Sequence, residues 1–274
     1  MPEELEGERL DRALAALGLC PSRRGAKEAL VRGSVYLDGR RIRVASRLLR
    51  AGARLRVEAF PARPGPPVPL RILWEEPGLA ALDKPGGVPL APTRAAVEGS
   101  LLHALSVARG LPLSALHPAH RLDTPTSGVV LVALCAAEAA RLGGAFREGG
   151  VRKTYLAWVH GRPDPPEGLW DWALTEARGG VVRVRPDGRP ARTRYHLVRE
   201  EGARSLLRLE PETGRTHQLR VHCAAAGLPI VGDRKYGRGP DGVKRALLHA
   251  WRLDFPRADG GRQVVEAPVP PDMG

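Results

Sequence analysis

A chain of 274 residues with 43% hydrophobic side chains can bury one large core or two modest ones, and its formal charge of +13 favours a polyanionic partner, of which nucleic acid is the commonest. No apolar run reaches about 18 residues, so no membrane span is expected, and the acidic opening M-P-E-E-L-E-G-E-R-L lacks the apolar stretch of a secretory signal. Three scattered cysteines (Cys20, Cys135, Cys223) with no C-x-x-C argue against a zinc ribbon or disulfide framework, and point to a reducing, cytoplasmic compartment.

Residues 7–57 read as a compact basic unit. Leu10, Leu14 and Leu17 recur at helical spacing, and Gly18 ends that helix. Ser22 is a candidate N-cap for a second helix that runs to Gly33. Arg23, Arg24 and Lys27 fall at its start, where free backbone N–H groups also favour phosphate; an ordinary solvated helix face is the competing reading. V-Y-L-D-G-R-R-I-R-V then reads as two strands turning at Asp38-Gly39. Residues 58–69 hold five prolines, cannot form a regular helix, and read as a semi-rigid linker between an N-terminal domain (1–57) and a larger one (70–274).

In the larger domain, residues 70–82 predict two short strands around a Pro-Gly turn. The loop L-D-K-P-G-G-V-P follows, in which Lys84 either reaches a phosphate or is merely solvated. A helix is expected from Ser100 to Arg109. The stretch His120 to Gly128, H-R-L-D-T-P-T-S-G, precedes the apolar run V-V-L-V-A, so a polar loop delivers one carboxylate, Asp123, to a sheet edge. Read alone, such a loop is a turn whose Asp and Thr cap backbone groups. A helix (A-A-E-A-A-R-L-G-G-A-F-R-E-G) and an alternating strand (V-R-K-T-Y-L-A-W-V-H-G) come next. In E-T-G-R-T-H-Q-L-R-V-H the alternation predicts a strand, with Leu219 and Val221 on one face and Arg220 and His222 on the other. His117 with His120, and His217 with His222, lack a third ligand at metal spacing, so no metal is expected.

Several of these stretches occur together in a known family. H-R-L-D-x-x-T-S-G, the earlier K-P-G-G, K-T-Y-L-A-W-V-H-G, and T-G-R-T-H-Q-L-R-V-H, in that order, resemble the motifs of RluA-type RNA pseudouridine synthases. The first domain, with E-R-L-D-R-A-L, P-S-R-R-G-A-K-E-A-L and R-G-S-V-Y-L-D-G, is similar to the RNA-binding domain of ribosomal small-subunit protein four, the S-four domain. The resemblance implies an α+β fold: a mixed, largely antiparallel catalytic sheet with a central cleft, preceded by a small α/β RNA-binding domain. It implies Asp123 as the catalytic residue, Arg220 as its ion-pair partner and Tyr155 as the ring that stacks on the target base. Leu219, Arg121, Arg215 and His120 would line the pocket, with Asp233 and Tyr236 at its rim. Arg23, Arg24, Lys27 and Lys84 would contact RNA. Pro125, inside the central loop, departs from the family pattern without touching a matched residue.

The activity so implied converts uridine to pseudouridine with base flipping, needs no cofactor or metal, and is expected on large-subunit ribosomal RNA, with transfer RNA the alternative. A monomer is expected. Two competing functions remain open at this point: a non-catalytic rRNA-binding assembly protein, and a glycosylase that would release free uracil.

Overall fold

The computed structural model describes residues 5–20, 22–58, 67–92, 98–177 and 179–274. The chain divides into two compact units, residues 1–66 with 92–98 and residues 67–91 with 99–274. Most of the expected proline-rich linker, residues 59–66, lies outside the described residues.

The N-terminal unit is built from α1 (Leu10–Ala16), α2 (Arg23–Arg32), β1 (Val35–Leu37), β2 (Arg40–Arg41) and β3 (Leu55–Val57), the strands forming one sheet in the order β2-β1-β3. Its punctuation follows the sequence. The Ser22 hydroxyl accepts from the Gly25 N–H (3.1 Å) and caps α2, and Gly33 ends it in the left-handed region. Asp38 (φ +50°) and Gly39 (φ +76°) make the tight turn between β1 and β2. Leu10, Leu14, Leu30 and Val35 form the core.

One charge sits inside this unit. Asp11 is fully buried and accepts from Arg9 Nε (3.0 Å) and Arg23 Nε (3.1 Å), with Lys27 Nζ at 3.9 Å. The Arg9 hydrogen bond is the largest cause holding its carboxyl down at about 2. Arg23 and Lys27 thus brace α1 against α2 while half of each side chain stays exposed. Arg24 lies on α2, and its side chain is outside the described residues.

The larger unit carries β4 (Ile72–Glu76), β5 (Leu79–Lys84), α3 (Leu101–Arg109), β6 (His117–Pro118), β7 (Ser127–Ala133), α4 (Ala136–Arg147), β8 (Arg152–His160), β9 (Glu167–Asp171), β10 (Arg192–Glu201), β11 (Arg204–Pro211), α5 (Gln218–Ala225), β12 (Leu248–Pro256) and β13 (Arg262–Glu266). Ten strands form one sheet ordered β4-β5-β7-β12-β8-β11-β10-β9, with β13 on β12 and β6 on β7. All pairs are antiparallel except β12 with β7. The α+β expectation is met. Leu82, Val130, Tyr155, Ala157 and Leu207 belong to one apolar cluster on the sheet, and Leu219 and Cys223 of α5 pack into it.

One predicted element is corrected. Residues 218–225 are a helix, α5, and not the tail of a strand. Every residue from Gln218 to Cys223 is buried, so the helix shows no polar face, and five residues of chance alternation imitate strand periodicity. Leu219 and Cys223, four apart, share the core face, while Val221 packs with Leu174, Val182 and Ala191.

Gly128 sits where β7 meets β12, opposite Ala250, at φ +109°. A Cβ there would lie 2.1 Å from the Ala250 carbonyl oxygen. Gly128→Ala is therefore predicted to cost about 3 kcal/mol or more, from strain and overpacking together. Urea unfolding followed by tryptophan fluorescence checks this; an unchanged midpoint would contradict it.

Candidate active site

The loop from His120 to Thr126 leaves β6 and enters β7, and both of its ends are tied down. Partly buried His120 accepts from the Leu131 N–H through Nε2 (3.2 Å) and packs against Phe146; desolvation pushes its pKa down to about 3, so the ring is neutral. The Thr126 N–H closes a turn on the Asp123 carbonyl (3.0 Å). Between them the Thr124 carbonyl accepts from Lys84 Nζ (3.1 Å) and the Gly87 N–H (2.8 Å), and Arg245 donates to the Pro125 carbonyl (3.3 Å).

Lys84 was expected at an RNA phosphate, and the structure corrects this. The side chain is fully buried, and its ammonium also donates to the Pro85 and Val88 carbonyls (3.0 and 2.6 Å). Three carbonyls replace the lost water. Lys84 ties the Pro-Gly loop to the Asp123 loop and offers nothing to solvent.

The braced loop presents Asp123 beside α5. Arg220 Nη1 donates to Asp123 Oδ2 (2.8 Å), while Arg220 Nε and Nη2 both donate to Asp233 (2.7 Å each). Burial works against the charge of Arg220, but the bonds to Asp233 and then to Asp123 hold its pKa above the ordinary value. Burial likewise works against Asp233, and the Arg220 bonds, with the N–H groups of Lys235 and Tyr236, outweigh it and hold the carboxyl low. The Tyr236 ring lies under the guanidinium at 5.1 Å. Asp233 has no exposed side-chain surface, whereas Asp123 keeps 26%. The arginine is thus fixed from behind and steadies the accessible carboxylate from one side.

Helix α5 is held in register by Gln218. Its Oε1 accepts from Thr213 Oγ1 (2.7 Å) and the Arg215 N–H (3.0 Å), and its Nε2 donates to the Arg192 carbonyl (2.9 Å) and Thr193 Oγ1 (3.0 Å). His222, one turn on, reaches Thr193 Oγ1 and the Trp172 carbonyl.

A cavity of about 680 Å³ opens over Asp123, a volume suited to one nucleotide. The structure brings Tyr155, Leu219, Arg121, Arg215 and His120 to its wall beside Asp123 and Arg220. Tyr155 is 8% exposed, and burial, with Asp123 nearby, raises its pKa, so it stays a neutral phenol. Arg121 and Arg215 are exposed; Arg215 Nε also donates to the Pro190 carbonyl (3.0 Å). Among the wall residues, sequence reasoning did not single out Lys153, and it named His217 only as half of a histidine pair, with no role at Asp123. Lys153 had a readable signal, since it stands two residues before Tyr155 on the same strand face. His217 had none, because its role depends on a left-handed backbone that only the fold reveals.

Among the described residues, no group of three or more His, Cys, Asp or Glu side chains could hold a metal ion, and no helix is long and apolar enough to cross a membrane.

Comparison with known proteins places this geometry. A family model described as RNA pseudouridylate synthase matches residues 78–225, and one described as the S4 domain matches residues 8–55. The chain is 36% identical over 293 residues to an uncharacterized RNA pseudouridine synthase of Mycobacterium bovis, covering all of this chain and 94% of that protein. It is 33% identical over 295 residues to ribosomal large subunit pseudouridine synthase D of Nitrosomonas europaea, covering all of this chain and 84% of the relative. Among solved structures, human RNA pseudouridylate synthase domain containing 1 superposes with a TM-score of 0.66 at 27% identity, over 77% of this chain and 89% of that one. The chain therefore belongs to the RluA-type RNA pseudouridine synthases, with an S-four domain at its N-terminus.

Proposed function

We propose that this enzyme isomerises uridine in large-subunit ribosomal RNA, with Asp123 as the catalytic carboxylate. The carrying observation is the arrangement of charge: an accessible carboxylate, Asp123, at the cavity wall, steadied by an arginine that is itself anchored on a buried aspartate, while the other wall carboxylate, Glu212, is paired with Arg192 and Arg194. The substrate assignment is supported by full-length relatives named ribosomal large subunit pseudouridine synthase D, at 33% and 34% identity.

The reaction breaks the bond from uracil nitrogen 1 to ribose carbon 1′, turns the base and joins carbon 5 to carbon 1′; carbon 5 then gives up its proton and nitrogen 1 takes one up, so the product is an isomer. One carboxylate serves either of two routes. It bonds to carbon 1′ as uracil departs, or it takes the proton from carbon 2′ so that uracil leaves behind a glycal. Both need the carboxylate held in place against the ribose, and the Arg220 hydrogen bond fixes one of its oxygens. Both also need the target nucleoside out of its stack, because the ribose carbon and the base must reach Asp123 and Tyr155 on the cavity wall. Tyr155 then stacks on the base, with Leu219 packing beneath it. The exposed cations at the rim, Arg121 and Arg215, face the RNA backbone. The N-terminal unit adds affinity for structured RNA, with the exposed halves of Arg23 and Lys27 among its cationic surface.

Carbodiimide and primer-extension mapping of rRNA from cells with and without this protein tests the substrate. The expected result is loss of a pseudouridine stop from large-subunit rRNA; loss only from transfer RNA would overturn the substrate and keep the chemistry. Asp123→Asn is predicted to lower turnover by about 10⁴-fold or more, the scale for removing a sole nucleophile or base, while RNA affinity stays within about threefold. Retained turnover would refute the role of Asp123. Asp233→Ala should show the opposite balance in stability. Removing the buried partner of Arg220 is predicted to cost about 3 kcal/mol or more, against less than about 1 kcal/mol for Asp123→Asn at the accessible end. Urea unfolding of the two variants side by side checks the order; equal losses would contradict it.

A further inference from the structure

His217 departs from ordinary backbone geometry. It is one of two non-glycine residues with positive φ among the described residues, at φ +55° and ψ +16°, at the N-cap of α5. The other, Asp38, sits in an exposed hairpin turn, where that conformation is routine. Any residue with a Cβ is uncommon in the left-handed region, histidine less so than most, and such a conformation persists where surrounding structure enforces it, often at functional sites. No capping hydrogen bond comes from the His217 side chain, so a side-chain cap at the start of α5 does not account for the strain.

The side chain is enclosed, with 15% of its surface exposed, and both nitrogens have defined surroundings. Nδ1 lies 2.7 Å from the Tyr236 hydroxyl, and that hydroxyl accepts from the Val182 N–H (3.0 Å). Nε2 points along the cavity wall to Asp123 Oδ2, 3.8 Å away, which is too long for a hydrogen bond. Burial lowers the His217 pKa more than Asp123 raises it, and Arg220 and Lys235 lower it further, so the ring is neutral. A neutral imidazole has one N–H. A lone pair on Nε2 facing a carboxylate would be repelled, so the proton belongs on Nε2. Nδ1 then accepts from the Tyr236 O–H. The chain Val182 N–H to Tyr236 O–H to His217 fixes one tautomer and aims its N–H into the cavity beside Asp123.

We infer that His217 donates this N–H to the ribose 2′-oxygen of the target uridine, as a further substrate-contacting residue of the reaction. The inference rests on Asp123 as the acting carboxylate. Both routes bring Asp123 against carbon 1′ or carbon 2′, so the 2′-oxygen lies within two bonds of the carbon attacked. On the displacement route the geometry is tighter still. The carboxylate must approach the ring face opposite the base, and in a ribonucleoside that is the face carrying the 2′-hydroxyl. A 3.8 Å gap between an N–H donor and a carboxylate oxygen is the space in which a hydroxyl can accept from one and donate to the other. Such an N–H would also select RNA over DNA at the target position.

The test uses His217→Gly, His217→Gln and Tyr236→Phe in the full-length enzyme under single-turnover conditions. Glycine suits the left-handed backbone, so His217→Gly is expected to fold with a Tm at or near that of the parent. It should slow isomerisation about tenfold or more, the scale of one lost hydrogen bond to the reacting nucleoside. His217→Gln restores an N–H donor and should recover part of the rate. Tyr236→Phe keeps the ring over Arg220 and removes only the hydroxyl. It should slow the reaction, and the double variant His217→Gly/Tyr236→Phe should be no slower than His217→Gly alone, because the hydroxyl acts through the histidine. Before turnover, the parent should bind RNA with uridine at the target more tightly than RNA with 2′-deoxyuridine there, and His217→Gly should lose most of that preference. Parent-like rates in His217→Gly, fully additive variants, or an unchanged preference would overturn the inference. Asp123→Asn run in parallel separates the failures: if it is inactive while His217→Gly is unimpaired, only the role of His217 falls.

Discussion

The site depends on one buried ion pair, the two-pronged contact between Arg220 and Asp233. A guanidinium in a low-dielectric interior would be costly without a partner, and removing either member of such a pair leaves a charge exposed to that cost. Asp233 meets the need from the closed side, fixed by two backbone N–H groups. That frees the third donor of Arg220 to reach forward to Asp123. The cluster carries two carboxylates and one guanidinium, so Arg220 positions Asp123 without cancelling the charge of the set. An accessible carboxylate tethered by a fixed guanidinium suits either proposed route at the ribose.

The second constraint is the bracing of the Asp123 loop. A loop that holds a catalytic group must be stiff, yet its backbone carbonyls cannot all pair within a turn. Here they accept from side chains that belong to other segments, Lys84 and Arg245. The same residues hold the Pro-Gly loop and the start of β12, so the Asp123 loop and the strand that carries Leu248 to the cavity wall share supports. Gly128 lets β7 begin directly after the loop, against the β12 backbone.

Much of this was legible before the fold was known. The Asp38-Gly39 turn, the Ser22 cap and the Gly33 stop are local rules, and each appears where the residues place it. The Asp123 loop and the strand bearing Tyr155 were visible as a polar loop beside an apolar run and as period-two alternation. Helix α5 was not legible, because burial on every side removes the polar face that marks a helix in sequence. Lys84 was misread for a related reason. A lysine in a Pro-Gly loop reads as solvated unless its three carbonyl acceptors are known, and two of the three lie within four residues of it while the third comes from position 124. Asp233 was visible only as a rim residue. Its role as the anchor of Arg220 arises from a contact across thirteen positions that no local pattern encodes.

The central claim is that this chain alone, through one carboxylate, breaks and remakes the bond between a uridine's base and its ribose. The most direct measurement is the reaction of purified, chelator-treated protein with a large-subunit rRNA transcript carrying tritium at carbon 5 of uracil. The account predicts tritium release equal to the pseudouridine formed, with no free uracil. Release of uracil with an abasic ribose, or no tritium release from any RNA, would contradict it.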